Sequence, residues 1–172
     1  MPLIDRSTSG LLLIDFQARL MPAIADAPGV TAQARRLLDA ATLLDVPVLL
    51  TEQYVRGLGP TVADLAGGPV LHKMTFDALR AGSLLPDCAT LVVAGCEAHV
   101  CVLQTVLGLL AAGRRVAVVG DAIGARRPEN KSAAMARMAA HGADIVTTEM
   151  VVFEWLGTAE HPRFREAVAL IK

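Results

Sequence analysis

The stretch Leu91-Val92-Val93-Ala94-Gly95 runs straight into Cys96-Glu97-Ala98-His99-Val100-Cys101, after which apolar residues recur at Val102, Leu103, Val106, Leu107, Leu109 and Leu110. A short apolar run followed by helical periodicity reads as a buried strand feeding a helix, here over 98–112, with Gly113 placed to stop it. The helix is apolar almost all round, so it belongs deep in the molecule. The same alternation extends in both directions. Apolar runs predict strands at 11–15, 47–51, 70–72, 91–95, 116–120 and 144–148, the third being short and preceded by Gly67, Gly68 and Pro69. Helical periodicity predicts helices over 31–45, with Ala34, Leu37, Leu38, Ala41 and Leu44 on one stripe, and over 130–141, with Ala134, Met138 and Ala139 inward. Two more fit 150–156 and 162–171, where Pro162 suits a first turn. Buried strands separated by helices specify an α/β fold, a three-layer, doubly wound, six-stranded and mainly parallel sheet. The expected strand order is 3-2-1-4-5-6.

Composition agrees with a single domain over residues 1–172. A chain of this size buries roughly two-thirds of the surface its extended form exposes. Hydrophobic residues are 53% of the sequence and aromatic residues 3%, so the core is aliphatic and the chain is not of the disordered class. Sixteen basic against 17 acidic residues, with no basic stripe and few aromatic residues for stacking, argue against nucleic acid as a partner. The mean hydropathy of +0.48 raises a membrane reading. Charged residues or glycine interrupt every apolar run short of the ~18–20 residues that span a bilayer, so no membrane partner is expected. The N-terminal residues from Met1 to Arg6 show no basic segment leading into an apolar stretch, and the expected compartment is the cytoplasm. Three cysteines do not form a disulfide framework, so a special cysteine here points to catalysis.

In the expected order strands 1 and 4 are neighbours, and the crevice beyond their carboxyl ends is the topological switch point where such folds bind ligands. Asp15 falls there, after four apolar residues; a carboxylate in that place serves as an acid or base, or as a turn residue. Cys101 falls in the first turn or so of the following helix, where unpaired N–H groups and the helix dipole favour a thiolate. The alternative for Cys101 is a small buried hydrophobe. Lys73 ends the third strand and would stabilise a nearby thiolate, or would be a surface lysine. The C-x-x-H-x-C spacing of Cys96, His99 and Cys101 matches no common zinc site. Gly57-Leu58-Gly59 lacks the context of a dinucleotide loop, and neither a P-loop nor a G-x-S-x-G elbow occurs.

Taken together, Leu11-Leu12-Leu13-Ile14-Asp15-Phe16-Gln17, Lys73 after a short third strand, and Val92 to Val102 resemble the three active-site segments of the isochorismatase-like cysteine hydrolases. The resemblance covers nearly the whole chain and continues through Val118-Val119-Gly120-Asp121-Ala122, Met138, Gly142-Ala143 and Thr147-Thr148-Glu149. It implies a catalytic triad of Asp15, Lys73 and Cys101 that cleaves an amide-like C–N bond of a small molecule through a thioester. It also implies a non-proline cis peptide at Cys96-Glu97, with the N–H groups of Glu97 and Cys101 forming an oxyanion hole. Family members are commonly homo-oligomers; the helix after strand 4 and the segment 151–156 are the expected contributors to an interface. Where nicotinamidases of the family carry a metal-binding Asp-x-His, this chain has Thr51-Glu52-Gln53-Tyr54, so neither a metal nor another cofactor is expected. The residues flanking the triad in sequence, Phe16, Gln17, Leu20, Gln53, Tyr54, Phe76, Ala98 and His99, are the candidate substrate pocket.

Two other functions fit the same residues. Asp15 acting as general acid on a vinyl ether, with Cys101 a spectator, is the isochorismatase reaction that the family name implies. An oligomeric binding protein with a degenerate pocket is the non-catalytic alternative, and a redox-sensing Cys101 lies between the two.

Overall fold

The structure, a computed structural model, describes residues 3–172; Met1 and Pro2 of the N-terminal stretch read above lie outside the described residues. Six strands form one sheet, β1 (Ser9–Ile14), β2 (Val48–Gln53), β3 (Val70–Lys73), β4 (Thr90–Cys96), β5 (Arg115–Gly124) and β6 (Asp144–Val146). Their order is β3-β2-β1-β4-β5-β6 and every neighbouring pair is parallel. The expected fold class and strand order hold, with the sheet wholly rather than mainly parallel.

Side chains alternate across the sheet, as the pleat requires. Leu11 and Leu13 face one layer, built on α1 (Ala27–Leu43), α5 (Thr148–Leu156) and α6 (Phe164–Ile171). Leu12 and Ile14 face the other, built on α3 (Leu103–Ala111) and α4 (Pro128–Ala140). Both layers are aliphatic, and the single tryptophan, Trp155, is buried with its indole N–H donating to Ser9 Oγ at 2.9 Å. A one-turn helix α2 (Val55–Leu58) follows β2. No helix among the described residues is long and apolar enough to cross a membrane.

The differences from expectation have local causes. Helix α1 starts four residues early because Asp26 caps it by accepting from the Gly29 N–H, and Pro28 occupies its first turn. Strand β5 does not stop at Gly120-Asp121. A bulge between Val93 and Gly95 of β4 resets the pairing, and β5 continues to Gly124 opposite Cys96. Helix α5 begins at Thr148 with Thr147 as its cap, shortening β6. Pro162 lies ahead of α6 instead of in its first turn. Ala139 is exposed, leaving Ala134 and Met138 to bury α4. In the segment 151–156, Val151, Val152, Trp155 and Leu156 pack into the chain's own core, so only Phe153 is an exposed apolar side chain there.

Candidate active site

Strands β1 and β4 run side by side over their whole lengths, with Ile14 opposite Gly95. A Cβ on Gly95 would lie 2.4 Å from the Ile14 carbonyl oxygen, so only glycine permits this approach. Immediately beyond Ile14 the chain turns. Asp15 takes a left-handed conformation, φ 54°, which aspartate tolerates better than most residues. Its carboxylate is fully buried. Oδ1 accepts from Thr51 Oγ1 at 2.6 Å, and Oδ2 accepts from Lys73 Nζ at 2.7 Å. Each oxygen therefore has a donor, which is what makes a buried carboxylate tolerable.

Lys73 ends β3, the edge strand, two strands away from β1. To reach Asp15 it must cross back over the intervening strand β2. In the structure the side chain alone makes the crossing, passing over the end of β2 with its stem and ammonium fully buried. Gln53, paired in register with Lys73, gives the ammonium a second acceptor, Oε1 at 2.8 Å.

Cys101 approaches from the other side of the crevice. After β4 the Cys96-Glu97 peptide is cis and the chain enters a wide π-helical turn, Ala98–Val102, before settling into α3. The sequence predicted one continuous α-helix from residue 98; the wider turn is invisible to apolar periodicity. Cys101 is 6% exposed, and its sulfur lies 4.0 Å from Gln53 Oε1. The expectation that the helix start would favour a thiolate is not met. Burial first, then the charge and hydrogen bond of Asp15, push the thiol up to about 12, against a downward pull from Lys73. The net upward push favours the thiol over the thiolate. Cys96, buried in the core on the α1 side of the sheet, is likewise pushed up to about 12, by burial.

Asp15 and Cys101 open on a cavity of about 350 Å³, with Lys73 buried behind Asp15. Asp15, Gln53 and Cys101 form its floor, with Leu20, Ala23, Leu58, Phe76 and Val100 as apolar walls and Glu97 with Arg126 at one side. Burial raises the proton affinity of the Glu97 carboxyl, but hydrogen bonds from the Arg126 backbone N–H and side chain, with the charge of Arg126, outweigh it and hold Glu97 below the usual carboxylate range. A groove of about 890 Å³ beside α1, lined by Met21, Pro22, Ile24 and Pro28 among others, is larger but is lined by none of the triad residues.

Of the expected pocket residues, Leu20, Gln53 and Phe76 line this cavity. Phe16 is buried in the core on the α1 side of the sheet, and Ala98 is buried on the α3 side. Gln17 is fully buried and turned away; its amide bonds both backbone groups of Gln53 and the Gly59 carbonyl. Tyr54 is half exposed in a separate depression with His72 and Arg56. His99 points toward α4, with Nε2 3.4 Å from Asn130 Nδ2. Proximity in sequence was the only ground for these five, and strand alternation sends such neighbours to opposite sides. The walls that sequence reasoning missed are Ala23 in a short 3-10 turn, Leu58 in the one-turn α2, Val100 in the π-helical turn and Arg126 in the connection after β5, short features that no local pattern announces. Arg126 had one legible signal, its place just beyond β5, the neighbour of β4.

The sequence pattern of the Isochorismatase domain matches residues 9–150. The human isochorismatase domain-containing protein 2 is 40% identical over 171 residues, covering 96% of this chain and 83% of that protein. Among solved structures, the MAR1 ribonuclease of Caenorhabditis elegans superposes with a TM-score of 0.91 at 34% identity, covering 98% of this chain and 92% of that one. YcaC of Pseudomonas aeruginosa, solved with hexane-2,5-diol and covalent acrylamide, has a TM-score of 0.81 at 26% identity, covering 99% and 96%.

Proposed function

Since the chain belongs to the isochorismatase domain family of hydrolases, we propose that it cleaves the C–N bond of a small amide through a thioester on Cys101. The observation that carries this reading is that Asp15, paired with Lys73 at 2.7 Å, and Cys101 line one small cavity. Because Cys101 rests as a thiol, its proton passes to Asp15 as the sulfur attacks the carbonyl carbon. Lys73, bonded to Asp15, offsets the negative charge as it moves from carboxylate to sulfur. The N–H groups of Glu97 and Cys101 receive the oxyanion. Collapse of the tetrahedral species breaks the C–N bond, and the departing amine takes the proton from Asp15. Water then attacks the thioester with Asp15 accepting its proton. The second collapse releases a carboxylic acid, and the sulfur recovers its proton from Asp15.

Chemistry of the cavity supports an uncharged or weakly polar substrate. Its two charged pairs, Asp15 with Lys73 and Glu97 with Arg126, cancel, and its remaining walls are apolar. A polyanion finds no net attraction there, so the ribonuclease name of the C. elegans relative is not carried over. The covalent acrylamide of the P. aeruginosa structure is a small amide of the kind this cavity would admit. The reading extends to a cofactor-free cytoplasmic enzyme that forms a homo-oligomer, a state that sedimentation would resolve. The test of function is ammonia release from a panel of small primary amides. Turnover abolished by Cys101→Ala supports the proposal; turnover that survives this change sinks it.

A further inference from the structure

Gln53 ends β2, the strand between the ends that carry Lys73 and Asp15, and each of its polar groups is committed. Its backbone N–H donates to Gln17 Oε1 at 2.8 Å and its carbonyl accepts from Gln17 Nε2 at 3.0 Å. The side-chain amide can adopt one orientation. Met74 O only accepts, so Nε2 faces it at 2.8 Å, and Lys73 Nζ only donates, so Oε1 faces that at 2.8 Å. An ammonium has three N–H directions. Asp15 Oδ2 takes one and Gln53 Oε1 a second, and the Cys101 thiol reaches the same Oε1 at 4.0 Å, so that Gln53 Oε1 is shared by the ammonium and the thiol. Lysine has a long stem with several rotatable bonds, and a single anchor at Asp15 would let the ammonium swivel.

The geometry points to Gln53 as a positioning residue, which fixes the Lys73 ammonium against the Cys101 sulfur through its own amide oxygen. The role rests on the hydrolase reading above and gives Gln53 a part in the triad's support in addition to its place on the cavity floor. Through Nε2 the same amide ties down the Met74 carbonyl, and so the segment that brings Phe76 to the cavity.

The test is the second-order rate of Cys101 alkylation by iodoacetamide between pH 7 and 9.5, with peptide mapping to follow Cys101 alone. Gln53→Leu is compared in the wild-type background and with Lys73→Gln. Loss of the fixed ammonium raises the thiol pKa, and the rate at a given pH falls about threefold for each unit, because the more basic thiolate that remains is also more nucleophilic. A threefold or larger slowing that disappears in the Lys73→Gln background is the expected result. Equal slowing in both backgrounds, or none in either, overturns the role. If Lys73→Gln does not fold, the cycle with Asp15→Asn replaces it: two residues steering one ammonium give non-additive effects, and additive ones overturn the role. A silent Gln53→Leu alongside responsive Asp15→Asn and Lys73→Gln removes only the positioning role. Indifference of Cys101 to all three removes the hydrolase reading as well.

Discussion

Neutralising Asp15 should move the two properties of Cys101 in opposite directions. In Asp15→Asn the thiol loses the largest influence after burial that holds its proton. A unit charge at about 4 Å and an effective dielectric near 20 is worth on the order of 4 kcal/mol. That is about three pKa units. At pH 8 a thiol of pKa about 12 is ionised in only about one molecule in 10⁴, so three units give roughly a thousandfold more thiolate. The less basic thiolate is a weaker nucleophile, and with a Brønsted slope of ~0.5 about half of the logarithmic gain survives, so alkylation rises ~30-fold. Hydrolysis falls in the same variant by ~10²–10⁴, since the group that takes the proton from sulfur and delivers it to the amine is gone. The assay is iodoacetamide labelling followed by mass spectrometry, with ammonia release measured in parallel. It is run well below the melting temperature because unpairing Lys73 costs ~3–5 kcal/mol of stability. Labelling that is unchanged or slower in a folded Asp15→Asn protein would refute the argument that the carboxylate sets the thiol's proton affinity.

Three further outcomes follow from the same geometry. Cys96 and Cys101 both hold their protons more tightly folded than unfolded, from an ordinary value of 9.0 to about 12, so their stabilising effect is complete below pH ~9 and is lost as pH rises toward 12. Each thiol then contributes ~1.4 kcal/mol of lost stability per pH unit, and urea titrations at pH 8, 9 and 10 should show a flatter decline in Cys96→Ala than in the wild type. Glu97 has the opposite sign: its folded pKa is depressed, so its contribution is present above ~4.3 and disappears as pH falls through the folded value. Thermal melts from pH 6 to 3 should therefore show a shallower acid loss in Arg126→Ala. Gly95→Ala places a methyl carbon 2.4 Å from the Ile14 carbonyl oxygen and should cost ~1–3 kcal/mol by chemical denaturation, with β1 and β4 forced apart next to Asp15. Wild-type stability in that variant would contradict the close approach on which the crevice depends.

The strand order was legible because each buried strand is an uninterrupted aliphatic run, and the right-handed crossover rule leaves few ways to assemble such runs around helices. Leu11 to Ile14 is the plainest case, with every residue buried and alternate side chains in different layers. Asp15 and Cys101 were legible for the same reason, because the chain order places both at the switch point. Lys73 came only from resemblance, since no local pattern encodes a side chain that crosses a neighbouring strand. Arg126 and Leu58 were missed because the paths of connections and one-turn helices depend on long-range hydrogen bonds, such as those from Gln17 to Gln53 and Gly59. The thiol state of Cys101 was misjudged because a helix start was weighed without the buried carboxylate beside it, and the carboxylate together with desolvation outweighs Lys73.

The most direct measurement is rapid-quench intact-protein mass spectrometry with a small amide that the enzyme turns over. The account predicts a transient adduct carrying the acyl part of the substrate without its amine, mapped to the peptide containing Cys101, discharged by hydroxylamine and absent in Cys101→Ala. Multiple turnovers with no acyl adduct on Cys101 at any quench time, and with undiminished rate in Cys101→Ala, would contradict it.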